Sequence, residues 1–283
     1  MSLMRHIRAC NTFEPGRFVP LSLGTARIGS VRRDNAELLK RFPHLFRVEE
    51  TRVTLLASGG TQGISAGLDA AIDALAQEHR VVKWRNEVFA VSERWGDAPL
   101  FGVDRGAVSF FGVRAYGVHL NGYWRDEGRL WLWIGRRAKD KLVAPDKLDN
   151  LVAGGIGSGL SDWETLVKEA EEEASIPHAM IERACATSAV SYKMEVRHGL
   201  RDDVLFIYDL ETPRDFVPVN HDGEIVEFFP MAAREALERV RDTDDFKFNV
   251  NLVIIDFALR HGLLTPADSE YLALIAGLRM GGE

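Results

Sequence analysis

Glu169, Glu172 and Glu173 lie in the acidic run KEAEEEA at residues 168–174. Spacings of three and four positions place their side chains on one face of a helix. Carboxylates held this closely repel one another, and a divalent cation with oxygen ligands would relieve the repulsion. An acidic helix face exposed to water is the alternative explanation of such a run. Taken alone, the run therefore indicates either a metal site or a solvated surface.

The residues before the acidic run favour the metal site. A glycine-rich segment, GGIGSG at residues 154–159, would let the backbone approach a metal or phosphate closely, because glycine has no side chain. Ser161 or Asp162 is the predicted N-cap of a helix that ends before Pro177, and Glu164 stands near the capping-box position. A glycine loop, a capped helix and three carboxylates in register form a more restrictive combination than an acidic run.

Hydrophobic periodicity predicts the elements that must position this helix. The predicted strands are 48–57, 84–91, 113–124, 129–136, 186–196, 203–210 and 224–229, and the predicted helices are 65–80, 105–111, 231–241, 247–261 and 267–279. We place a domain boundary near residue 115. Residues 1–115 then form a small α/β domain, and residues 116–283 form a second domain that contains the acidic helix.

Composition narrows the class of protein. A chain of 283 residues, 46% of them hydrophobic, favours two domains in a soluble protein, and a net charge of −7 disfavours a nucleic-acid polymer as partner. No apolar run is long enough to cross a membrane, and Arg5, His6 and Arg8 interrupt the N-terminal apolar residues, so we expect a cytoplasmic protein. Cys10 and Cys185 are too far apart in sequence to indicate a disulfide framework or a zinc site.

Residues 154–176 resemble the signature of the Nudix family. That signature runs glycine, five residues, Glu, seven residues, Arg-Glu, an apolar residue, any residue, Glu-Glu, any residue, Gly and an apolar residue. The Glu-x-x-Glu-Glu core is intact at residues 169–173. Three positions depart from the signature, with Leu160 for the first Glu, Lys168 for Arg and Ser175 for Gly. The loop is also one residue short when the glycine pair is aligned.

This resemblance implies a fold and a chemistry. For residues 116–283 it implies an α/β/α sandwich with a mixed sheet. It implies Mg²⁺ or Mn²⁺ held by Glu169, Glu172, Glu173 and a loop carbonyl near Gly154, with the number of ions left open by the missing first Glu. Water would attack one phosphorus of a small-molecule diphosphate. Beside Glu172 and Glu173, Glu224 is the first candidate for a further catalytic carboxylate, and Glu227 is the second.

Further segments resemble one subgroup, the Nudix domain associated with thiamine pyrophosphokinase and its relatives with an extra N-terminal domain. They include residues 84–87, 117–123, 147–155, 191–192, 208–213, 222–224, 246–249, 256–257 and 260–262. The resemblance implies hydrolysis of thiamine diphosphate, or of its oxidised or damaged analogues, to the monophosphate and phosphate. The candidate substrate-binding residues are His119, Asn121, Arg137, Lys147 and Tyr192. For His119, Asn121, Arg137 and Lys147 a purely structural role is an equal alternative.

Two other functions remain open. A nucleoside diphosphate derivative is the alternative substrate, and a catalytically silent Nudix-fold binding module is the alternative class. The retained Glu169, Glu172 and Glu173 argue against the silent module. The apolar C-terminal helices could cover the sheet or form a homodimer contact. Residues 1–115 could close over the site, supply specificity or mediate self-association.

Overall fold

A small sheet and two helices form the first domain in the computed structural model, which describes residues 1–79, 81, 87–221 and 223–281. The elements are β1 (Phe18–Leu23), β2 (Ala26–Arg32), α2 (Arg33–Leu39), β3 (Phe46–Val48), β4 (Val53–Leu55) and α3 (Gly60–Gln77). The strand order is β2-β1-β4-β3, with β1 parallel to β4 and the other pairs antiparallel. Apolar side chains of α2 and α3 join those of the sheet in one buried cluster.

The predicted strand 48–57 is wrong in its extent, because two short antiparallel strands, β3 and β4, occupy this region. The polar residues 49–52 form the turn between them, where the Glu49 N–H donates to the Arg52 carbonyl at 2.9 Å. The predicted helix 65–80 is confirmed, although α3 begins five residues earlier, at Gly60.

A separate hairpin follows, formed by β5 (Val88–Val91) and β6 (Phe101–Asp104). The predicted strand 84–91 is confirmed over its last four residues, and residues 82–86 lie outside the described residues. The predicted short helix near 105–111 is present as a 3-10 turn, Arg105–Ala107, followed by α4 (Val108–Phe111).

A larger mixed sheet forms the second domain. Its strands are β7 (Arg114–Asp126), β8 (Arg129–Arg137), β9 (Leu148–Asp149), β10 (Val152–Gly155), β11 (Cys185–Val196), β12 (Gly199–Glu211) and β13 (Ile225–Ala232). The main order is β11-β12-β7-β8-β13, with β10 paired to β7 and β9 to β8. β7 and β12 run parallel and the other pairs run antiparallel.

Helices cover both faces of this sheet. One face carries α5 (Asp162–Ala174) and α6 (His178–Ile181), and the other carries α7 (Ala233–Asp242), α8 (Val250–Arg260) and α9 (Tyr271–Gly277). Each set buries its apolar side against the sheet, which gives the expected α/β/α sandwich. None of the helices among the described residues has the length and apolar character needed to cross a membrane.

The first helix, α1 (Met4–Cys10), packs against the second domain. Leu3, Ile7 and Cys10 are buried in the same cluster as α8 and α9. The boundary near residue 115 stays a prediction, since the start of the chain joins the core of the later residues.

Candidate functional site

The acidic helix has the capped start that its sequence predicts. The Glu164 N–H donates to Ser161 Oγ at 3.1 Å, and the Ser161 N–H donates to Glu164 Oε2 at 2.8 Å, which completes a capping box. At the other end Ser175 adopts a left-handed backbone with φ of 51°. Glycine adopts this conformation without strain, which explains why the family signature has glycine there.

Glu169 lies directly over Gly154. A Cβ atom added to Gly154 would stand 2.4 Å from the Glu169 Cγ, so any larger residue here would displace the Glu169 side chain. Because Gly154 is in β10 and pairs with Val118 of β7, the sheet determines where the carboxylate can lie. The structure therefore brings together Gly154 and Glu169, two of the predicted ligands.

Glu173 is the most buried of the three glutamates, with 6% of its surface exposed. Its Oε2 accepts a hydrogen bond from the Ala153 N–H at 2.9 Å. Burial raises the pKa of Glu173 well above its ordinary value, and the charges of Glu169, Asp149 and Glu224 raise it further. A carboxylate in this position would be stabilised by a cation.

Lys168 supplies positive charge beside two of the three glutamates. Its Nζ lies 2.8 Å from Glu172 Oε2 and 3.1 Å from Glu169 Oε1. Although burial opposes the shift, these two hydrogen bonds raise the pKa of Lys168. Within the described part of the chain, no three His, Cys, Asp or Glu side chains are grouped as a metal site in this arrangement. The three-glutamate site thus stays a prediction that requires Glu172 to turn away from Lys168.

Glu224 stands at the rim of the same region, just before β13. Its side chain is 43% exposed and forms an ion pair with Lys141. Glu227 pairs instead with Arg136 at 2.8 Å, on the exposed surface. Of the two carboxylates, only Glu224 is among the charges that raise the pKa of Glu173.

His119 and Asn121 belong to a buried chain of hydrogen bonds. His119 Nδ1 donates to Asn150 Oδ1 at 2.8 Å, and Asn150 Nδ2 donates to Asn121 Oδ1 at 2.9 Å. Asn121 Nδ2 then donates to Asp209 Oδ1 at 2.9 Å. Burial lowers the pKa of His119 to about 4, which leaves its ring neutral at physiological pH.

Strand alternation separates these two residues from the side of the sheet that α5 covers. Val118 and Leu120 pack in the cluster beneath α5. The intervening His119 and Asn121 therefore point to the opposite face, which α8 covers. The structure gives neither polar side chain an open path to solvent.

Arg137 is also engaged by protein groups. Its Nη1 donates to Asp149 Oδ2 at 2.8 Å, and its other guanidinium nitrogens donate to the carbonyls of Ala144 and Val143, each at 3.1 Å. Lys147 lies at the surface, where its Nζ donates to the Asp244 carbonyl at 2.6 Å. The structure places Arg137 near the buried network and Lys147 outside it.

Tyr192 lies in the core rather than beside the carboxylates. It is fully buried on β11, its hydroxyl donates to Asp203 Oδ2 at 2.6 Å, and its ring meets Phe248 edge-on. No part of the ring is exposed for a substrate to contact. The structure does not bring Tyr192 together with Glu169 and Glu173.

Two buried ion clusters were not predicted from the sequence. Lys247 Nζ lies 3.1 Å from Asp149 Oδ2, beside Arg137. Arg260 binds Asp209 with two guanidinium nitrogens, one of them at 3.0 Å from Oδ1. One indication of these clusters was present in the sequence, because the charged residues lie in segments that resemble one subgroup. No local pattern showed which of them would pair.

The comparisons with known proteins match both parts of the chain. Residues 2–115 match a family model described as a domain of unknown function, DUF4743. Nudix hydrolase 24, chloroplastic, of Arabidopsis thaliana is 37% identical over 276 residues, which are 94% of this chain and 74% of that protein. Nudix hydrolase 20, chloroplastic, of the same plant is 37% identical over 285 residues, covering 96% of this chain and 76% of that protein.

Both relatives are named Nudix hydrolases and are 37% identical to this chain over more than nine-tenths of its length. The chain is a member of the Nudix hydrolase family. Among solved structures, the binary complex of the C. elegans Ap4A hydrolase is 13% identical with a TM-score of 0.40, covering 53% of this chain and 99% of that chain. The cytoplasmic location stays a prediction, since both plant relatives are named chloroplastic.

Proposed function

We propose that this Nudix hydrolase is a metal-dependent diphosphatase that acts on thiamine diphosphate or its oxidised or damaged analogues. The observation that carries the metal-dependent chemistry is the pair formed by Glu169 and Glu173 around β10. Glu169 lies against Gly154, and Glu173 is hydrogen-bonded to the next residue, Ala153. Ala153 and Gly154, consecutive residues of β10, therefore each contact one of the two glutamate side chains.

The residues present fit a divalent cation. Burial raises the pKa values of both Glu169 and Glu173. The charge of Glu172 raises the pKa of Glu169 further, and the charge of Glu169 raises that of Glu173. Mg²⁺ and Mn²⁺ prefer oxygen ligands. A bound cation would also offset the cost of ionising these buried carboxylates. Glu169, Glu172 and Glu173, with the carbonyl of Gly154, would hold it. The bound ion would supply positive charge that offsets the charge of a diphosphate.

The chain itself performs the remaining tasks. The Ala153 N–H fixes the carboxylate of Glu173, and Lys168, which pairs with Glu172 in this structure, would release that carboxylate to the cation. Glu224, at the rim, accepts the proton of the attacking water. The oxygen of that water bonds to the terminal phosphorus, the bond from this phosphorus to the bridging oxygen breaks, and monophosphate and phosphate are released.

The thiamine substrate rests on the resemblance of several segments to one subgroup, and in the structure these segments lie together. Residues 117–123, 147–155 and 246–249 are distant in sequence, yet they contribute Asn121, Asn150 and Lys247 to adjoining buried polar clusters. Because His119 and Asn121 are bound to Asn150, they enter the proposal as positioning residues for the turn between β9 and β10. Arg137 has the same kind of role through Asp149.

The experiment is a substrate panel. Orthophosphate release with Mg²⁺ is measured for thiamine, oxythiamine and oxothiamine diphosphates, ADP, ADP-ribose and a nucleotide sugar, with a coupled phosphatase for monoester products. Higher kcat/KM for the thiamine series supports the proposal. Turnover of nucleotides alone replaces the substrate by a nucleoside diphosphate derivative, and the absence of turnover for every compound counts against the proposal and favours the binding module.

A further inference from the structure

The hairpin β5–β6 of the first domain docks on the glycine-rich loop of the second. The Ser158 N–H donates to the Val88 carbonyl at 2.7 Å. The ring of Phe89 covers Gly155, where an added Cβ would stand 2.6 Å from the Phe89 Cζ. The loop that leads into the acidic helix is therefore bounded by residues of the first domain.

The same hairpin brings charge close to the carboxylates. Glu87, immediately before β5, pairs with Arg105, immediately after β6, at 2.6 Å. Burial is the main cause that raises the pKa of Glu169, and the charge of Glu87 adds to that shift. Because Phe89 covers Gly155, next to the Gly154 that lies beneath Glu169, the hairpin lies beside the candidate metal site.

The loop between β5 and β6 carries a half-exposed tryptophan. Trp95 is 48% exposed, and its ring centroid lies 4.6 Å from those of both Tyr116 and Phe206. The rings of Tyr116 and Phe206 are nearly parallel, at 3°, with centroids 6.1 Å apart. We call these three rings the aromatic shelf. Two rings of the second domain hold the indole in place, yet about half of its surface remains open.

The aromatic shelf adjoins the glycine-rich loop and the start of the acidic helix. The Ile156 N–H donates to the Tyr116 carbonyl at 2.9 Å. Phe206 lies two residues from Tyr208, whose ring contacts Trp163 in the first turn of α5. Phe206 and Gly154, which lies beneath Glu169, pair with Val118 of β7 from opposite sides, so their backbones are two strand spacings, about 10 Å, apart.

We propose that the aromatic shelf binds the planar heteroaromatic group of the diphosphate substrate, with Trp95 as the specificity-determining residue. The inference rests on the proposed diphosphatase function and gives residues 1–115 a role in choosing the substrate. A ring on the shelf, joined through a short chain to a diphosphate at Glu169, would span this distance. Aromatic faces bind planar rings by stacking and attract a cationic ring such as thiazolium.

The test compares binding of a ring-bearing and a ring-free ligand to the full chain. Calorimetry measures the Kd of oxythiamine diphosphate and of inorganic diphosphate, with Ca²⁺ in place of Mg²⁺ to limit turnover. The variants are Trp95→Ala, Trp95→Phe and, as a matched control, Leu272→Ala, whose side chain is 78% exposed on α9. We expect Trp95→Ala to weaken oxythiamine diphosphate about tenfold and inorganic diphosphate less than about twofold, with Trp95→Phe between wild type and alanine.

Other results overturn the inference in distinguishable ways. Equal weakening of both ligands would mean that Trp95 only holds the domains together, and unchanged Kd values would mean that the shelf does not meet the ring. If the wild-type protein binds inorganic diphosphate but not oxythiamine diphosphate, the result contradicts both the role of the shelf and the thiamine substrate. It leaves the proposed diphosphate site unchanged. If it binds neither, the proposed function fails as well.

Discussion

Lys168 and Glu172 are one helical turn apart, and their Nζ and Oε2 atoms lie 2.8 Å from each other. The same ammonium also contacts Glu169. The lysine therefore lies against two of the carboxylates that would bind the proposed cation. The pair is half exposed, which means that it contributes little to stability but can move without disturbing the core.

Replacing Lys168 by glutamine should therefore affect metal binding more than folding. We expect Lys168→Gln to lower the free energy of unfolding without metal by less than about 1 kcal/mol. It should tighten Mg²⁺ binding, because a positive charge beside the ligands is removed. Calorimetric titration with Mg²⁺ and urea denaturation measure the two effects, with the exposed Lys139→Gln as control. Weaker Mg²⁺ binding by the variant would contradict this account of Lys168.

Glu172 and Glu171 offer a matched pair for testing the metal ligands. Both are exposed glutamates of α5, but only Glu172 lies in register with Glu169. Glu172→Gln should lower kcat/KM by about 100-fold or more, whereas Glu171→Gln should change it by less than about twofold. Orthophosphate release on the best substrate of the panel is the measurement. Equal activities of the two variants would remove Glu172 from the site.

Gly154 and Gly157 test the packing beneath Glu169. Gly154→Ala places a methyl group 2.4 Å from Glu169 Cγ, whereas the nearest heavy atom to a Cβ on Gly157 is 3.9 Å away. We expect Gly154→Ala to lower kcat by roughly 10- to 100-fold because the carboxylate is displaced. Gly157→Ala should remain near wild type. Comparable losses of kcat in both variants would show that activity depends on the loop backbone in general and not on the position of Glu169.

His119 should make stability depend on pH. Burial lowers the pKa of His119 from 6.5 to about 4, so between these values the unfolded chain binds more protons than the folded one. Its contribution is fully present above pH 6.5 and is lost as the pH falls to about 4, on the order of 3 kcal/mol. Urea denaturation over this range should show a smaller slope for His119→Gln than for wild type, and an unchanged slope for the exposed His44→Gln. An identical slope for wild type and His119→Gln would show that a group other than His119 causes the pH dependence of stability.

Lys247 and Asp149 should depend on each other. Lys247→Met removes one of the two cations that bind Asp149, while Arg137 still pairs with it, so the change should cost about 2 kcal/mol of unfolding free energy. Combining it with Asp149→Asn should cost less than the sum of the single changes, because both remove the same contact. Urea denaturation of the four proteins completes the double-mutant cycle. Strict additivity would mean that the 3.1 Å contact contributes no coupling.

Local patterns predicted the acidic helix and much of the sheet. The capping box at Ser161 and Glu164 depends on residues three apart, and strand periodicity depends on the next few neighbours, so both can be recognised in a short window. The strand predicted over 48–57 failed because the polar turn at 49–52 divides it.

The tertiary structure alone decided which polar residues are buried together and which face the site. Alternation along β7 shows that His119 and Val118 point to opposite faces, but only the packing of α5 and α8 determines what covers each face. The burial of Tyr192 and the docking of Phe89 on Gly155 likewise join residues far apart in sequence. Sequence alone specified the carboxylates, the glycines and their spacing, because helix geometry is local. The positions of Trp95 and Lys247 followed from long-range packing, which no short window contains.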